Sequence, residues 1–269
     1  MAAIEGEHRV KVAVADHVAE VMLNRPEKHN ALDHAMFEAI GAAIDEVAAD
    51  PSVRAVVLHG AGKSFCSGLD LMSFVAEGRP AEDMFARREG EVANLAQRVA
   101  YGWQELPAPV IAAIHGNCIG GGAQIALGAD LRIIAPGSKV SIREGFWGLI
   151  PDMGLTRSLP RLVRFDVAKE LVLTARILDA EEAVRIGLAT RLDDDPLSAA
   201  RALAAEIAAL SPDATRRGKQ LLERAWNLPA GESLALEEEL QRELLGSPNQ
   251  VRAVGAGMSG DPADYDDPS

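Results

Sequence analysis

Residues 110–135 read VIAAIHGNCIGGGAQIALGADLRIIA, and this stretch sets the fold class of the chain. Val110–Ile114 is a short apolar run of the kind found in buried strands, and the glycine-rich turn after it leads into a helical segment that reaches Gly128. Asp130–Ala135 follows as a second strand. A strand, a helix and a strand in direct succession indicate parallel pairing, which predicts an α/β architecture.

The segments before this stretch extend the same pattern. Residues 8–14 and 18–23 carry alternating β-branched side chains, which predicts two strands joined as a hairpin. A helix is predicted over Asp33–Ala49, and Val53–His59 has the apolar composition of a buried strand. A long helix is predicted from about Ala81 to Glu105, because the prolines that follow would stop it.

Beyond Leu155 the strand pattern almost vanishes, apart from 188–192, and amphipathic helical patterns dominate. We therefore predict an α/β core over residues 1–195 and a helical C-terminal region over 196–258. The acidic, proline-containing end, residues 259–269, has the composition of a disordered tail.

The composition excludes several classes of protein. The chain has 269 residues with 48% apolar content, no apolar run of membrane length and no secretion-type N-terminus, so we expect a cytoplasmic globular protein with no membrane contact. Only two cysteines occur, which argues against a disulfide framework. A formal net charge of −13 repels nucleic acid, whereas a small anionic ligand needs only a few local cations.

The glycine run Gly120-Gly121-Gly122 is the first candidate site. Glycine permits a left-handed or closely approached backbone, and the following helix places unpaired N–H groups at the same point. This arrangement predicts an anion site, and the peptide before the helix is suited to stabilising an oxyanion. The alternative is a tight turn that binds nothing.

A pair of acids, Glu144 and Asp152, is the second candidate. Both stand in a segment rich in large apolar residues, which could raise the pKa of a carboxyl group towards the range used in proton transfer. Two structural alternatives remain open. Glu144 could pair with Arg143 or Arg157, and Asp152 could cap a helix that begins near Met153.

Four segments, in order, resemble the signature blocks of the crotonase (enoyl-CoA hydratase/isomerase) family. They are Asn24–Leu32, Ser64–Leu71, Ile119–Gln124 and Gly148–Gly154, and the resemblance spans about residues 8–245. It implies a spiral α/β core of repeated β-β-α units and a helical C-terminal trimerisation region. It also implies a homotrimer or a dimer of trimers that acts on an acyl-CoA thioester, in fatty-acid or related acyl-CoA metabolism, without metal or tightly bound cofactor.

The resemblance also implies the roles of individual residues. The backbone N–H groups of Leu69 and Gly121 would form the oxyanion hole for a thioester enolate. Glu144 would transfer the proton, assisted by Asp152, and Gln124 would orient substrate or water. The positions implied for binding substrate and CoA are Arg25, Lys28, Ala31, Ser67, Gly68, Asp70, Leu71, Gly120 and Trp147.

The residue at position 124 separates the possible reactions. Typical hydratases of the family carry glutamates at the positions of both Gln124 and Glu144, and a glutamine cannot exchange a proton. We therefore place double-bond isomerisation slightly ahead of hydration. The remaining alternatives are a hydrolase or dehalogenase that uses Asp152 as nucleophile, and a family member without catalytic activity.

Overall fold

The computed structural model describes residues 8–78 and 81–268. The strands are β1 (Val10–Ala15), β2 (Val18–Leu23), β3 (Ala55–Gly60), β4 (Val110–Ile114), β5 (Asn117–Ile119), β6 (Leu131–Ile134), β7 (Lys139–Ser141), β8 (Leu178–Asp179) and β9 (Arg191–Leu192). The helices are α1 (His34–Ala49), α2 (Leu71–Glu77), α3 (Leu95–Glu105), α4 (Gly121–Gly128), α5 (Leu155–Leu162), α6 (Phe165–Thr174), α7 (Ala180–Arg185), α8 (Pro196–Ala208), α9 (Pro212–Ala225), α10 (Ala230–Leu244) and α11 (Pro248–Ser259). In these described ranges no helix is both long and apolar enough to cross a membrane.

The strands form two sheets. A six-stranded sheet has the order β1-β2-β3-β4-β6-β9, in which β1 and β2 form an antiparallel hairpin and every other neighbouring pair is parallel. A three-stranded sheet has the order β5-β7-β8. The predicted hairpin, the parallel pairing and the α/β class are thereby confirmed.

Both faces of the large sheet are buried at its central strands, which explains why these strands are rich in apolar residues. All six residues of β3 and all five of β4 are buried. On one face Ala200 and Ala204 of α8 pack against Val57, Ile111 and Ile133. The other face packs against the side chains of α1, α3 and α4 in the main hydrophobic core. The sheet thus holds the carboxyl ends of β3 and β4 rigidly, and the loops of the candidate site follow these ends.

The long helix predicted from Ala81 to Glu105 is wrong for most of its first half. A short 3-10 turn covers Ala81–Phe85, and the next helix begins only at Leu95. Gly90 adopts a φ of 81°, which interrupts a right-handed helix. Asn94 then starts α3 with a reciprocal capping box, because its side chain accepts from the Gln97 amide while the Gln97 side chain accepts from the Asn94 amide.

The acidic tail, which its composition predicts to be disordered, makes hydrogen bonds with the folded chain at residues 264–267. It has no regular secondary structure, but Arg54 Nη2 donates to the Tyr265 carbonyl at 2.9 Å. Asn249 Nδ2 donates to the Asp266 carbonyl at 3.0 Å, and Arg252 Nη1 contacts the Asp266 carboxylate at 2.7 Å. Acidic side chains and exposed carbonyls here meet arginines of the folded chain, which composition alone does not reveal.

Candidate active site

Leu69 is held beside the segment that carries Leu32. The two residues form a parallel bridge, in which the Leu32 amide donates to the Gly68 carbonyl at 2.8 Å and the Asp70 amide donates to the Leu32 carbonyl at 2.9 Å. The Leu69 amide itself makes no hydrogen bond with a described residue. It therefore remains available to a ligand.

The same segment also pairs with the strand that leads to Gly121. The Cys66 amide donates to the Asn117 carbonyl at 3.0 Å, and the Ile119 amide donates to the Cys66 carbonyl at 3.0 Å. A Cβ atom built on Gly68 would lie 2.7 Å from the Ile119 oxygen and 3.6 Å from the Gly121 nitrogen. The two segments therefore approach so closely at Gly68 that only glycine fits.

The glycine run is explained by close approach on several sides. A Cβ on Gly121 would meet Leu32 Cδ1 at 2.8 Å and Met153 Sδ at 2.9 Å, and a Cβ on Gly122 would meet the Cys66 carbonyl oxygen at 2.4 Å. Gly121 is the first residue of α4, and its amide donates no hydrogen bond to a described residue. Two unpaired amides, those of Leu69 and Gly121, thus lie near each other at the positive end of a helix dipole.

Glu144 lies against the start of this helix and is tied to Gln124. Gln124 Nε2 donates to Glu144 Oε1 at 2.6 Å, while Gln124 Oε1 accepts from the Met153 amide at 2.9 Å. These two bonds fix which end of the Gln124 amide faces the acid. Glu144 Oε2 is buried and has no hydrogen-bond partner among the described residues. Glu144 thus carries one anchored oxygen and one free oxygen.

The surroundings of Glu144 favour its protonated form. Burial raises the pKa of this carboxyl group above its usual 4.5, and the negative charge of Asp152 raises it further. Hydrogen bonds from its own amide and from Gln124 act in the opposite direction, but they do not cancel the effect of burial. A carboxyl group with an elevated pKa is a better proton acceptor once it is ionised.

Both structural alternatives proposed for the acids are wrong. Glu144 has no ion pair with Arg143, whose Nη1 instead donates to the Ala175 carbonyl at 2.6 Å, nor with Arg157. Asp152 is exposed and does not cap a helix, because the residue before α5 is Gly154 with a φ of 82°. Asp152 is therefore free to act on Glu144 through its charge.

Arg25, predicted to line the CoA path, is instead engaged inside the protein. Only 6% of its surface is exposed, and Nη1 donates to the Ala31 carbonyl at 3.0 Å and to Asp70 Oδ2 at 2.8 Å. Burial acts to raise the pKa of Asp70, but hydrogen bonds from Ser73 and from Arg25 lower it to about 2. Arg25 and Asp70 thus form a charged pair that joins the segment Asn24–Leu32 to the segment Ser64–Leu71.

We call the unpaired amides of Leu69 and Gly121 the cradle. The other residues predicted to bind CoA are spread around it. Lys28 is exposed, and its carbonyl accepts from Ser67 Oγ at 3.4 Å. Ala31 is buried, and Leu71 begins α2. Trp147 is 59% exposed and stacks edge-on against Phe146, with ring centroids 5.1 Å apart.

Sequence reasoning gave no role to Asn30, although it organises the site. Asn30 is fully buried, its Nδ2 donates to the carbonyls of Ala61, Ser64 and Phe65, and its Oδ1 accepts from the Arg25 amide. Its φ is 55°, a left-handed conformation that asparagine adopts more readily than most residues. The sequence offered one signal for this role, because Asn30 lies inside the signature block Asn24–Leu32 and next to a helical turn.

Comparison with known proteins shows the family of the chain. The family model described as Enoyl-CoA hydratase/isomerase matches residues 14–258. The mitochondrial Delta(3,5)-Delta(2,4)-dienoyl-CoA isomerase of Mus musculus is 35% identical over 90% of this chain and 76% of its own length. A probable enoyl-CoA hydratase of Mycobacterium tuberculosis is 38% identical over 88% of this chain and 90% of its own length.

Solved structures show the same fold. A putative enoyl-CoA hydratase from Streptomyces coelicolor superposes with a TM-score of 0.88 at 29% identity, covering 100% of this chain and 98% of that one. A putative enoyl-CoA hydratase/isomerase from Mycobacterium abscessus gives 0.85 at 32% identity, covering 96% of this chain and 100% of that one. The chain therefore belongs to the enoyl-CoA hydratase/isomerase family.

Proposed function

We propose that this acyl-CoA enzyme moves a carbon–carbon double bond in an enoyl-CoA thioester by proton transfer at Glu144. The observation that carries the proposal is the difference between the two oxygens of this carboxyl group. One of its oxygens is bound by Gln124 at 2.6 Å, and the other is buried without a partner among the described residues. A buried, partly anchored carboxylate beside two unpaired amides suits proton removal next to a thioester carbonyl.

In the proposed reaction Glu144 Oε2 removes a proton from the α carbon of a 3-enoyl-CoA. The electrons of the broken C–H bond enter the thioester carbonyl, and the Leu69 and Gly121 amides stabilise the oxyanion of the resulting dienolate. Donors fixed in this way each contribute about 10²- to 10³-fold in rate. The proton then returns to the γ carbon, which yields the 2-enoyl-CoA without any net change in atoms or electrons.

Gln124 is the reason to favour isomerisation over hydration. Adding water requires a group that activates it and a group that protonates the product carbon, and a glutamine side chain can do neither. Its amide is also held at both ends, by Glu144 and by the Met153 backbone. Isomerisation needs only one shuttling carboxyl group, that of Glu144, and Asp152 is proposed to assist it. The relatives carry both isomerase and hydratase names, so their names do not decide between the two reactions.

The test is incubation with 3-enoyl-CoA and 2-enoyl-CoA in deuterated water, followed by mass spectrometry. We expect double-bond migration and deuterium at the α and γ carbons, with little 3-hydroxyacyl-CoA. Predominant hydration of the 2-enoyl thioester would instead identify a hydratase. A covalent acyl adduct on Asp152 would identify the hydrolase or dehalogenase route, and the absence of exchange with any chain length would refute a catalytic role.

The pH dependence of the reaction follows from the state of Glu144. Only the ionised carboxylate can accept a proton, so kcat/KM should rise with pH through the pKa of Glu144, which lies above 4.5 because of burial. Replacing Asp152 with asparagine removes a negative charge and should move this midpoint to lower pH. A pH–rate profile of both enzymes checks this, and a midpoint that stays in place would show that Asp152 does not act on Glu144.

Replacing Gln124 with glutamate should add hydration activity. The new carboxyl group can protonate the product carbon, so we expect the ratio of hydration to isomerisation to rise by on the order of tenfold or more. Two adjacent carboxyl groups also resist joint ionisation, which should move the pH midpoint of kcat/KM upward. Gln124→Met is the matched control, since it removes the amide without adding an acid. A similar gain of hydration in Gln124→Met would contradict this explanation.

A further inference from the structure

A large cavity lies outside the proposed active site. It has a volume of about 980 Å³ and opens between the last turns of α3, the length of α9 and the carboxyl end of α10. Neither Gln124 nor Glu144 lines it. The proposed proton transfer leaves the cavity without a role.

The cavity adjoins the oxyanion cradle through Met153 and Gly154. Met153 packs against Gly121, and a Cβ on the next residue, Gly154, would lie 3.3 Å from the Cβ of Tyr101. The Arg157 amide donates to the Gly154 carbonyl at 2.9 Å. Tyr101 and Arg157 both line the cavity and both contact Gly154, so Gly154 lies between the cavity and Met153.

The CoA half of the substrate is expected elsewhere. Leu32, which also packs against Gly121, belongs to the segment in which Lys28 is exposed. A thioester carbonyl at Gly121 therefore has the CoA segment at Leu32 and the cavity beyond Met153. An acyl chain that leads away from CoA would be directed towards the cavity.

The charges of the lining are unequally paired. Its carboxylates Asp213, Glu223 and Glu243 are engaged by Asn249, Arg161 and Arg217, and Lys219 is engaged by Asp130. Arg157 and Arg224 have no hydrogen bond or ion pair from their side chains among the described residues. Glu105 is the one carboxylate of the lining whose side chain also has no hydrogen bond or ion pair among the described residues. The unpaired groups are thus two guanidinium groups against one carboxylate.

We infer that the cavity receives the far end of the acyl group and that this end carries a carboxylate, so that the preferred substrates are ω-carboxyacyl-CoA thioesters. The inference rests on the proposed function only for the position of the thioester carbonyl. Guanidinium groups bind carboxylates through charge-assisted hydrogen bonds, often in pairs. A purely aliphatic end would displace water from arginine, glutamine and asparagine side chains without replacing those hydrogen bonds.

Equilibrium binding tests the inference without requiring turnover. The full-length protein is titrated by calorimetry with octanoyl-CoA and dodecanoyl-CoA, and with the monothioesters of the matching dioic acids. We expect the ω-carboxy ligand to bind on the order of tenfold more tightly for at least one length, with a ratio that falls as salt is added. Equal affinities of the aliphatic and the ω-carboxy ligands at both chain lengths would overturn the inference. Equal affinities are also the result expected if another subunit fills the cavity.

Arginine variants identify the groups responsible. Replacing Arg157 and Arg224 together with glutamine should reduce the affinity ratio to about one, whereas Arg157→Lys should retain part of it because the charge remains. Arg191→Gln is the matched control, since Arg191 is exposed, has no side-chain partner among the described residues and lies outside the cavity. A ratio that survives in the double variant, or disappears in Arg191→Gln, would contradict the assignment.

A short substrate separates the two proposals. But-3-enoyl-CoA has no chain to reach the cavity, so its deuterium exchange reports only on Glu144 and the cradle. Exchange with this substrate together with equal dioic and aliphatic affinities would refute the cavity assignment alone. Absent exchange together with a dioic preference would refute the proposed reaction and support the cavity assignment.

Discussion

Replacing Glu144 with glutamine is expected to lower deuterium exchange and double-bond migration by about 10²- to 10⁴-fold, the range of a general acid–base contribution. The substitution preserves the shape of the side chain but removes its ability to accept a proton. The free oxygen is buried and lacks a hydrogen-bond partner among the described residues, so the substitution breaks no hydrogen bond of that oxygen. Exchange rates of 3-enoyl-CoA in deuterated water measure the effect.

The control is Asp152→Asn, which removes an exposed carboxylate from the same segment. It should cost less activity than Glu144→Gln, because Asp152 is proposed only to assist. Titration with a saturated acyl-CoA should show that both variants still bind the ligand. Unchanged turnover in Glu144→Gln would remove Glu144 from the mechanism, and the proposed function with it.

Replacing Gly68 with alanine should reduce kcat by about 10²- to 10³-fold, the effect of losing one oxyanion donor. The new methyl group would lie 2.7 Å from the Ile119 carbonyl oxygen, which is backbone and cannot rotate away. The two segments must therefore separate, and the Leu69 amide moves away from the Gly121 amide. Glu144 is unaltered, so the pH midpoint of the residual activity should stay in place.

Gly137→Ala separates this effect from simple backbone strain. Gly137 has a φ of 76°, comparable to 89° at Gly68, but a Cβ there would meet nothing within 4 Å. Both variants should lose about 1–2 kcal/mol in the free energy of unfolding because alanine is disfavoured in this conformation. Gly68→Ala should lose more than this, because its methyl group also meets the Ile119 carbonyl oxygen. Only Gly68→Ala should lose turnover. If its kcat stayed within about twofold of the parent, the Leu69 amide would not be an oxyanion donor.

Local patterns were sufficient for most of the fold. The apolar runs of β3 and β4 and the glycine turn before α4 predicted buried parallel strands, since these features depend on neighbouring residues. The region from 81 to 94 was mispredicted as the first part of a long helix, because most of its residues favour helices, whereas the helix predicted up to Glu105 is present from Leu95. Gly90 in a left-handed conformation and the capping hydrogen bonds of Asn94 separate this region from α3.

The candidate site was predictable in its parts but not in its connections. The glycines and the acid at 144 stand out in the sequence, yet the bond from Gln124 to Glu144 joins residues on different elements. The pairing of Arg25 with Asp70 likewise depends on the meeting of two loops, so an arginine expected to face CoA is turned inward. Pairwise contacts of this kind follow from the tertiary fold and leave no local signature.

The cradle proposed at Leu69 and Gly121 consists of main-chain amides, whereas the proposed proton transfer uses side chains on neighbouring elements. Point mutation cannot delete a backbone amide, but it can exchange the groups at 124, 144 and 152 one at a time. Natural selection can thus redirect the outcome of a common enolate without rebuilding the scaffold that forms it. A glutamine in place of a carboxylate would be one such step, and the descendants of a single ancestor could differ in reaction while sharing every glycine of the cradle.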